Sequence, residues 1–305
     1  MNVNRTALPF LVFLAAAVPA YAQQDLTEEE AKREKRFQEE AAKNPDTTKA
    51  PGWHNSLVVG LNLTQVTLKD WAPGGENALS YSSSLIGKTE HIGERTVWSN
   101  YLKLAFGQTK LEDEQIRKTD DEIYFESLLI YHIWSKINPY ASATLRTQFA
   151  PGYSYNDDGS RTEISTFFDP AYLTQSAGFA YQPSSIITSR LGIGVREVLT
   201  SQFNAYADDA ATSEIEKTRI QGGLESVTQL DWTFEENMTL SSRLELFAPF
   251  EEMDRIIVRN DNIITAKVTK VIAVTFNLQL VNDVNVTPRT QWKESLALGV
   301  TYAIL

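Results

Sequence analysis

The chain contains no cysteine. That absence excludes disulfides, thiolate metal sites and an anchor of the lipoprotein type. Histidine is nearly as scarce, with three residues in the whole chain. None of them stands in an HExxH or paired-ligand spacing, and no GxSxG turn or phosphate-binding glycine loop occurs. Excess positive charge is also missing: 28 Lys and Arg stand against 39 Asp and Glu, a formal net charge of -11. A nucleic-acid partner would demand the opposite balance. Finally, past the N-terminus there is no run of about 18 apolar residues, so no spanning helix is expected. A membrane barrel escapes that test, because only every second residue of its strands meets lipid.

The first residues have the grammar of an export signal. Arg5 is the only charge ahead of an apolar run from Ala7 to Val18, and Ala20-Tyr21-Ala22 forms a small-x-small cleavage site. Residues 1–22 are therefore expected to be a signal peptide and the mature chain to begin at Gln23. Losing Arg5 changes the formal charge to -11 - 1 = -12. Residues 23–52 differ in texture from all that follows. Thr27 and Glu30 make a capping box, and eight acids and six bases surround only Leu26 and Phe37 as large apolar groups. Such a helix has no face to bury. It reads as a polar periplasmic tether, or as a docking helix for a partner.

Residues 53–305 read as an all-β, transmembrane antiparallel up-and-down β-barrel of about twelve strands. Val271 to Leu280 shows the pattern best: Ile272, Val274, Phe276, Leu278 and Leu280 share one face, while Thr275, Asn277 and Gln279 share the other. Similar alternation is expected at 56–68, 78–89, 96–106, 122–134, 139–149, 172–182, 185–199, 219–233, 239–247, 257–268 and 294–304. The joins alternate in length. Short ones fall at 91–95, 135–138, 183–184, 235–237 and 269–270. Long ones fall at 69–77, 107–121, 150–171, 200–218, 248–256 and 283–293. An even strand count places both ends of the barrel on the short-turn side, which is periplasmic in an outer-membrane barrel. Aromatic residues near strand ends, among them Trp98, Trp134, Tyr181, Trp232, Phe234, Trp292 and Tyr302, suit interfacial girdles. The last strand alternates up to Ile304-Leu305, where a terminal aromatic is usual.

Strand phase also separates lumen from lipid. A charge facing lipid at the bilayer midplane costs about 2–4 kcal/mol, so the more charged face of each strand must point inward. This assigns Lys103, Arg146, Arg190, Arg196, Arg243 and Lys267 to the interior, joined by Glu126, Glu225 and Glu245. Glu225, Arg243, Glu245 and Lys267, on three consecutive strands, are placed to pair across the ladder. The set reads either as a cation-biased lumen admitting anions or polar solutes, or as a paired network bracing a narrow barrel.

Several segments resemble one family. Asn62-Leu63-Thr64-Gln65, leading to Asp70-Trp71-Ala72-Pro73-Gly74-Gly75-Glu76-Asn77-Ala78-Leu79-Ser80, is similar to the NxxQ…NWxxGGENSLS signature of domain of unknown function 3078, found chiefly in Bacteroidota-type bacteria. Arg117-Lys118-Thr119-Asp120-Asp121, Thr147-Gln148-Phe149-Ala150-Pro151-Gly152-Tyr153 and Asp169-Pro170-Ala171-Tyr172-Leu173 resemble its further motifs. The resemblance runs over roughly 53–305 and implies an outer-membrane barrel without implying an activity. Trp71, Gly74, Gly75, Glu76, Asn77 and Tyr153 are the loop-motif candidates. Gly74-Gly75 permits a turn with positive φ beside the Trp71 anchor. These residues either fold the outer loops over the barrel mouth or build a ligand site there.

The expectation is thus a non-enzymatic barrel of the cell outer membrane, exported through the periplasm, with no cofactor and no metal. Its expected surroundings are outer-membrane lipid, lipopolysaccharide and the barrel assembly machinery. Its expected role is a small-solute channel or uptake pore for a small polar or anionic solute. A loop-based binding or structural protein is the alternative, and a lipid-active enzyme is a more remote one. His54 and His91 lie away from the outer loops; His132 is followed by Ile133 and Trp134, which lacks the serine two residues on that a barrel phospholipase uses.

Overall fold

The structure, a computed structural model, describes residues 50–67, 77–112, 114–156, 159–209 and 211–303. The signal segment, nearly all of the tether, and Trp71, Gly74, Gly75 and Glu76 lie outside the described residues. The strands are β1 (Gly52–Val66), β2 (Ala78–Ile92), β3 (Thr96–Leu111), β4 (Arg117–Tyr131), β5 (Ile137–Thr147), β6 (Gly152–Tyr155), β7 (Arg161–Ser165), β8 (Ala171–Tyr181), β9 (Ile187–Leu199), β10 (Thr218–Glu235), β11 (Met238–Pro249), β12 (Ile257–Lys267), β13 (Ile272–Asn282) and β14 (Gln291–Ala303). Strands β6 and β7 form a small separate hairpin; the other twelve close into an antiparallel barrel, β14 returning to β1. Closure removes the sheet edges that a membrane would otherwise leave unpaired.

Lipid dictates the alternation. Leu191 and Ile193 on β9 are 60% and 64% exposed on the outer face, while Arg190 between strand neighbours is 4% exposed on the inner one. Trp53, Trp98, Trp134, Phe179, Tyr181, Trp232 and Tyr302 are exposed near the strand ends on the short-turn side. There they form an interfacial girdle. The barrel is a transmembrane one of the outer-membrane type.

Two expected joins are corrected. The stretch 107–121 is not a long loop: β3 and β4 continue outward as a tall hairpin, with a register shift at Gly107/Gln108, β3 running to Leu111 and β4 starting at Arg117. Beyond the lipid both faces are wet, so alternation stops marking strands and charges such as Lys110 and Lys118 resemble a loop. The stretch 150–171 likewise contains the β6–β7 hairpin. His91 is not in a turn either; it lies in β2 opposite Trp98.

Inside, the wall is uneven. Ser80, Ser82 and Ser84 of β2, Gly60 and Asn62 of β1, and Ala297, Gly299 and Thr301 of β14 share the lumen-facing phase. On β3–β5 and β9–β12 long charged and aromatic side chains stand among the inward positions, with Lys103, Tyr124, Arg146, Arg190, Arg243 and Arg259 the largest. Toward the short-turn end an apolar cluster forms, where Ile130, Tyr140 and Ala180 pack with Leu128. Glycine permits one close approach there. A Cβ on Gly192 would stand 2.7 Å from the Tyr140 hydroxyl and 2.3 Å from the Ala177 carbonyl oxygen.

Candidate functional site

The inward carboxylates of β4, Glu122 and Glu126, are two turns of the pleat apart and organise the mid-barrel lumen. Glu126 accepts from Arg190 of β9 at 2.6 Å and from Arg243 of β11 at 3.0 Å. Glu122 gathers Lys103 of β3 at 2.7 Å, Arg146 of β5 at 3.2 Å and Arg259 of β12 at 3.3 Å. Glu245 joins the two groups, taking Arg146 at 3.2 Å and Arg243 at 2.7 Å. Asp261 extends the chain by pairing with Arg259 at 3.1 Å. In the barrel order β12 lies six places from β4, the opposite wall, and β11 lies five places away. The ion pairs therefore cross the lumen as a belt rather than running along the sheet.

Five cations, Lys103, Arg146, Arg190, Arg243 and Arg259, meet four carboxylates, Glu122, Glu126, Glu245 and Asp261, in this belt. Aromatic faces share the cationic load. Tyr124 lies 4.7 Å from Arg146 and 5.7 Å from Arg243, and its hydroxyl accepts from Arg243 at 3.0 Å. Tyr140 lies 5.5 Å from Arg190. Ion pairs out of bulk water need this kind of multiple compensation, since desolvation otherwise outweighs attraction.

The belt collects Lys103, Glu126, Arg146, Arg190, Arg243 and Glu245 from the sequence-derived lumen set. The other three stand elsewhere. Arg196 pairs with Asp283 at 2.8 Å and stacks on Tyr172 at 5.2 Å. Glu225 accepts from the Ser176 hydroxyl. Lys267 is at the short-turn end of β12, opposite Ala273. Of the expected ladder of Glu225, Arg243, Glu245 and Lys267, the Arg243–Glu245 pair stands at 2.7 Å, and Arg243 reaches also across the lumen to Glu126 of β4. Glu122, Arg259 and Asp261 were not in the expected set. Their signal was present: Glu122 shares the phase of Glu126, and Arg259 and Asp261 share the phase of Lys267.

On the long-loop side of the belt lies a cavity of about 350 Å³. Lys103, Lys118, Arg146, Arg259 and Lys293 line it against Asp120, Asp121 and Glu122, with Asn277 and Gln279 on the β13 wall. Lys293 reaches over the mouth to Asp120 at 2.8 Å. Oδ1 of Asn277 is buried without a hydrogen-bond partner. The cavity thus offers an excess of cations and a free acceptor.

The recurrent loop motifs fasten the rim. Asp121 accepts the backbone N–H groups of Phe149 at 2.7 Å and Ala150 at 3.0 Å. Lys118 holds Asp121 at 2.8 Å and donates to the Ala150 carbonyl at 2.9 Å. Arg117 lies over Tyr155 at 4.7 Å and Arg161 over Tyr153 at 4.2 Å. Asp169 accepts from the Gln202 backbone N–H at 2.7 Å, and the Thr147 hydroxyl donates to the Pro170 carbonyl at 3.1 Å. Asn77 caps the β3–β4 hairpin, its carbonyl accepting from Glu112 at 2.8 Å. The structure brings Tyr153 and its motif to the Lys118–Asp121 clasp; Asn77 stands apart from them. His132 lies in a short turn, its Nε2 buried without a partner, and burial pushes its pKa down. Among the described residues no three His, Cys, Asp or Glu side chains gather as a metal site would require.

Residues 63–153 match the sequence model of a family described as "Protein of unknown function (DUF3078)". No curated protein matches the chain. Among solved structures, the chain is similar to the translocator domain of autotransporter NalP from Neisseria meningitidis, at 10% identity and a TM-score of 0.38, covering 90% of this chain and 95% of that one. It is similar also to the COG4313 outer membrane channel from Pseudomonas putida F1, at 12% identity and a TM-score of 0.39, over 85% and 98% of the two chains. For the NanC porin the values are 9% identity, a TM-score of 0.38, and 81% and 98% coverage.

Proposed function

We propose that this protein is an outer-membrane channel for small polar or anionic solutes, narrowed at mid-membrane by the belt around Glu122 and Glu126. The observation that carries the reading is the outward cavity of about 350 Å³, where five cations face three carboxylates directly above the belt. An entering anion can exchange with Glu122 as the counter-ion of Lys103, Arg146 and Arg259 without leaving a cation bare, which is what permeation through a charged constriction requires. The small inward side chains of Ser80, Ser82 and Ser84, with Gly60 and Gly299, offer the solute a path along that wall. Lipid surrounds the barrel; lipopolysaccharide contact and delivery by the assembly machinery follow from the same reading.

Planar-bilayer recording of the refolded protein tests it. Conductance with a reversal potential favouring chloride over potassium is expected. A barrel that shows heat-modifiable gel migration, and so is folded, yet passes no current would end the channel reading.

A further inference from the structure

The twelve ladders of the barrel are unequal. β1 pairs with β2 along its whole length, Gly52↔Ile92 to Val66↔Ala78. Across the closing seam β1 pairs with β14 only from Val58↔Ala303 to Asn62↔Gly299. Above Asn62 both strands continue, yet residues 63–66 of β1 and 295–298 of β14 have no ladder partner in each other. Exposure agrees with a parted wall: residues 63–66 of β1 and 291–296 of β14 are exposed in both strand phases, whereas Asn62 and Gly299 in the paired stretch are half-buried. The gap lies on the long-loop half of the barrel, the half that holds the cavity. Two sheet edges cannot face hydrocarbon with their backbone groups unpaired, so this opening must be wet from the lumen or filled.

What stands on each side of the gap defines its occupant. Its lips are apolar and turned outward: Leu63, Leu296 and Leu298. Immediately inside are Lys293 of β14 and Asn277 and Gln279 of β13, all three in the cationic cavity. Lys293 pairs with Asp120 of β4 at 2.8 Å, linking that end of β14 to β4. An apolar slot opening sideways onto a cationic chamber fits a molecule with one linear apolar tail and one anionic head.

We propose that the upper half of the β1–β14 seam is a lateral portal, through which a single-chain anionic amphiphile passes between the outer leaflet and the cavity. Its head group is held by Lys293 together with Lys103 and Arg259, while its tail lies between Leu63 and Leu296. The proposal deepens the channel reading by naming a solute class, and takes from it only the onward path of the head group.

Two measurements on the full-length protein in nanodiscs decide it. The chain has no native cysteine, so introduced pairs report the seam directly. Leu61→Cys with Val300→Cys, a partnered position, should oxidise readily to a disulfide. Gln65→Cys with Leu296→Cys, in the same phase four residues higher, should stay reduced while heat-modifiable migration shows a folded barrel. Separately, bimane on Ser295→Cys, which faces the lumen, should be quenched saturably by brominated dodecanoate. Brominated dodecyltrimethylammonium should give no saturable quenching, and Lys293→Gln should weaken the dodecanoate effect. Oxidation of the upper pair at the rate of the lower one would overturn the portal, as would quenching indifferent to head-group charge. Conductance without dodecanoate quenching leaves the channel and removes the portal; quenching without conductance does the reverse.

Discussion

Arg243 makes three contacts in the lumen, with Glu126 at 3.0 Å, Glu245 at 2.7 Å and the Tyr124 hydroxyl at 3.0 Å. Replacing it by methionine keeps most of the bulk and leaves two carboxylates short of a partner. Loss of one member of a buried pair costs about 3–5 kcal/mol. Arg243→Met should therefore lower stability toward urea in lipid vesicles by about 3 kcal/mol, and adding Glu126→Gln should recover part of that loss. The same variant should raise single-channel conductance, because the belt is severed between β4 and β11. An unchanged conductance would show that the belt does not lie in the conducting path. Gly192 is the steric counterpart: Gly192→Leu has no space beneath Tyr140 and should reduce the folded yield on heat-modifiability gels.

Among the elements, the loop after β9 has its own fastening. Glu216 accepts from the Thr212 hydroxyl at 2.6 Å and from the Asp209 N–H at 3.0 Å, while its own N–H donates to Asp208 at 3.0 Å. Those donors, the Thr212 hydroxyl first, hold its carboxyl down at about 2. A depressed carboxyl contributes stability that is complete above its ordinary range and is lost as pH falls through the folded value. Pepsin should thus cut this loop increasingly as pH falls toward 2, while Glu216→Gln should be cut already at the less acidic end of the range. Equal cutting of the two proteins throughout would show that the carboxylate does not order the loop. The strands themselves were legible from the sequence wherever lipid touched them, since hydrocarbon tolerates one face only. Where β3 and β4 rise above the lipid, and in the β6–β7 hairpin, that constraint lapses and the pattern went unread. The inward phase of Glu126, Arg146, Arg190 and Arg243 was legible for the same energetic reason. Their partners across the lumen were not, because ladder neighbours can be read from strand order and opposite walls cannot.

For the whole molecule, the division between lipid and lumen makes a paired test. Ile193→Arg places a charge on the lipid face and should cost about 2–4 kcal/mol near the midplane. Ser82→Arg, on the inner face of β2, should fold normally and reduce conductance by placing a long side chain in the lumen. If both substitutions fold equally well, the assignment of faces fails. At the N-terminus we propose cleavage after Ala22, so mass spectrometry of the exported protein should find Gln23 first. The belt has one more effect, on assembly. Glu126 meets partners 64 and 117 residues away in sequence, and Glu122 meets Arg259 137 residues away. While β4 waits for β9, β11 and β12, its two inward carboxylates have few of their final counter-ions. A slip of one residue in any later strand would turn its arginines toward lipid and leave those carboxylates uncompensated. The same residues that cross the lumen thereby proofread the barrel, and only the correctly registered closure neutralises what the early strands left charged.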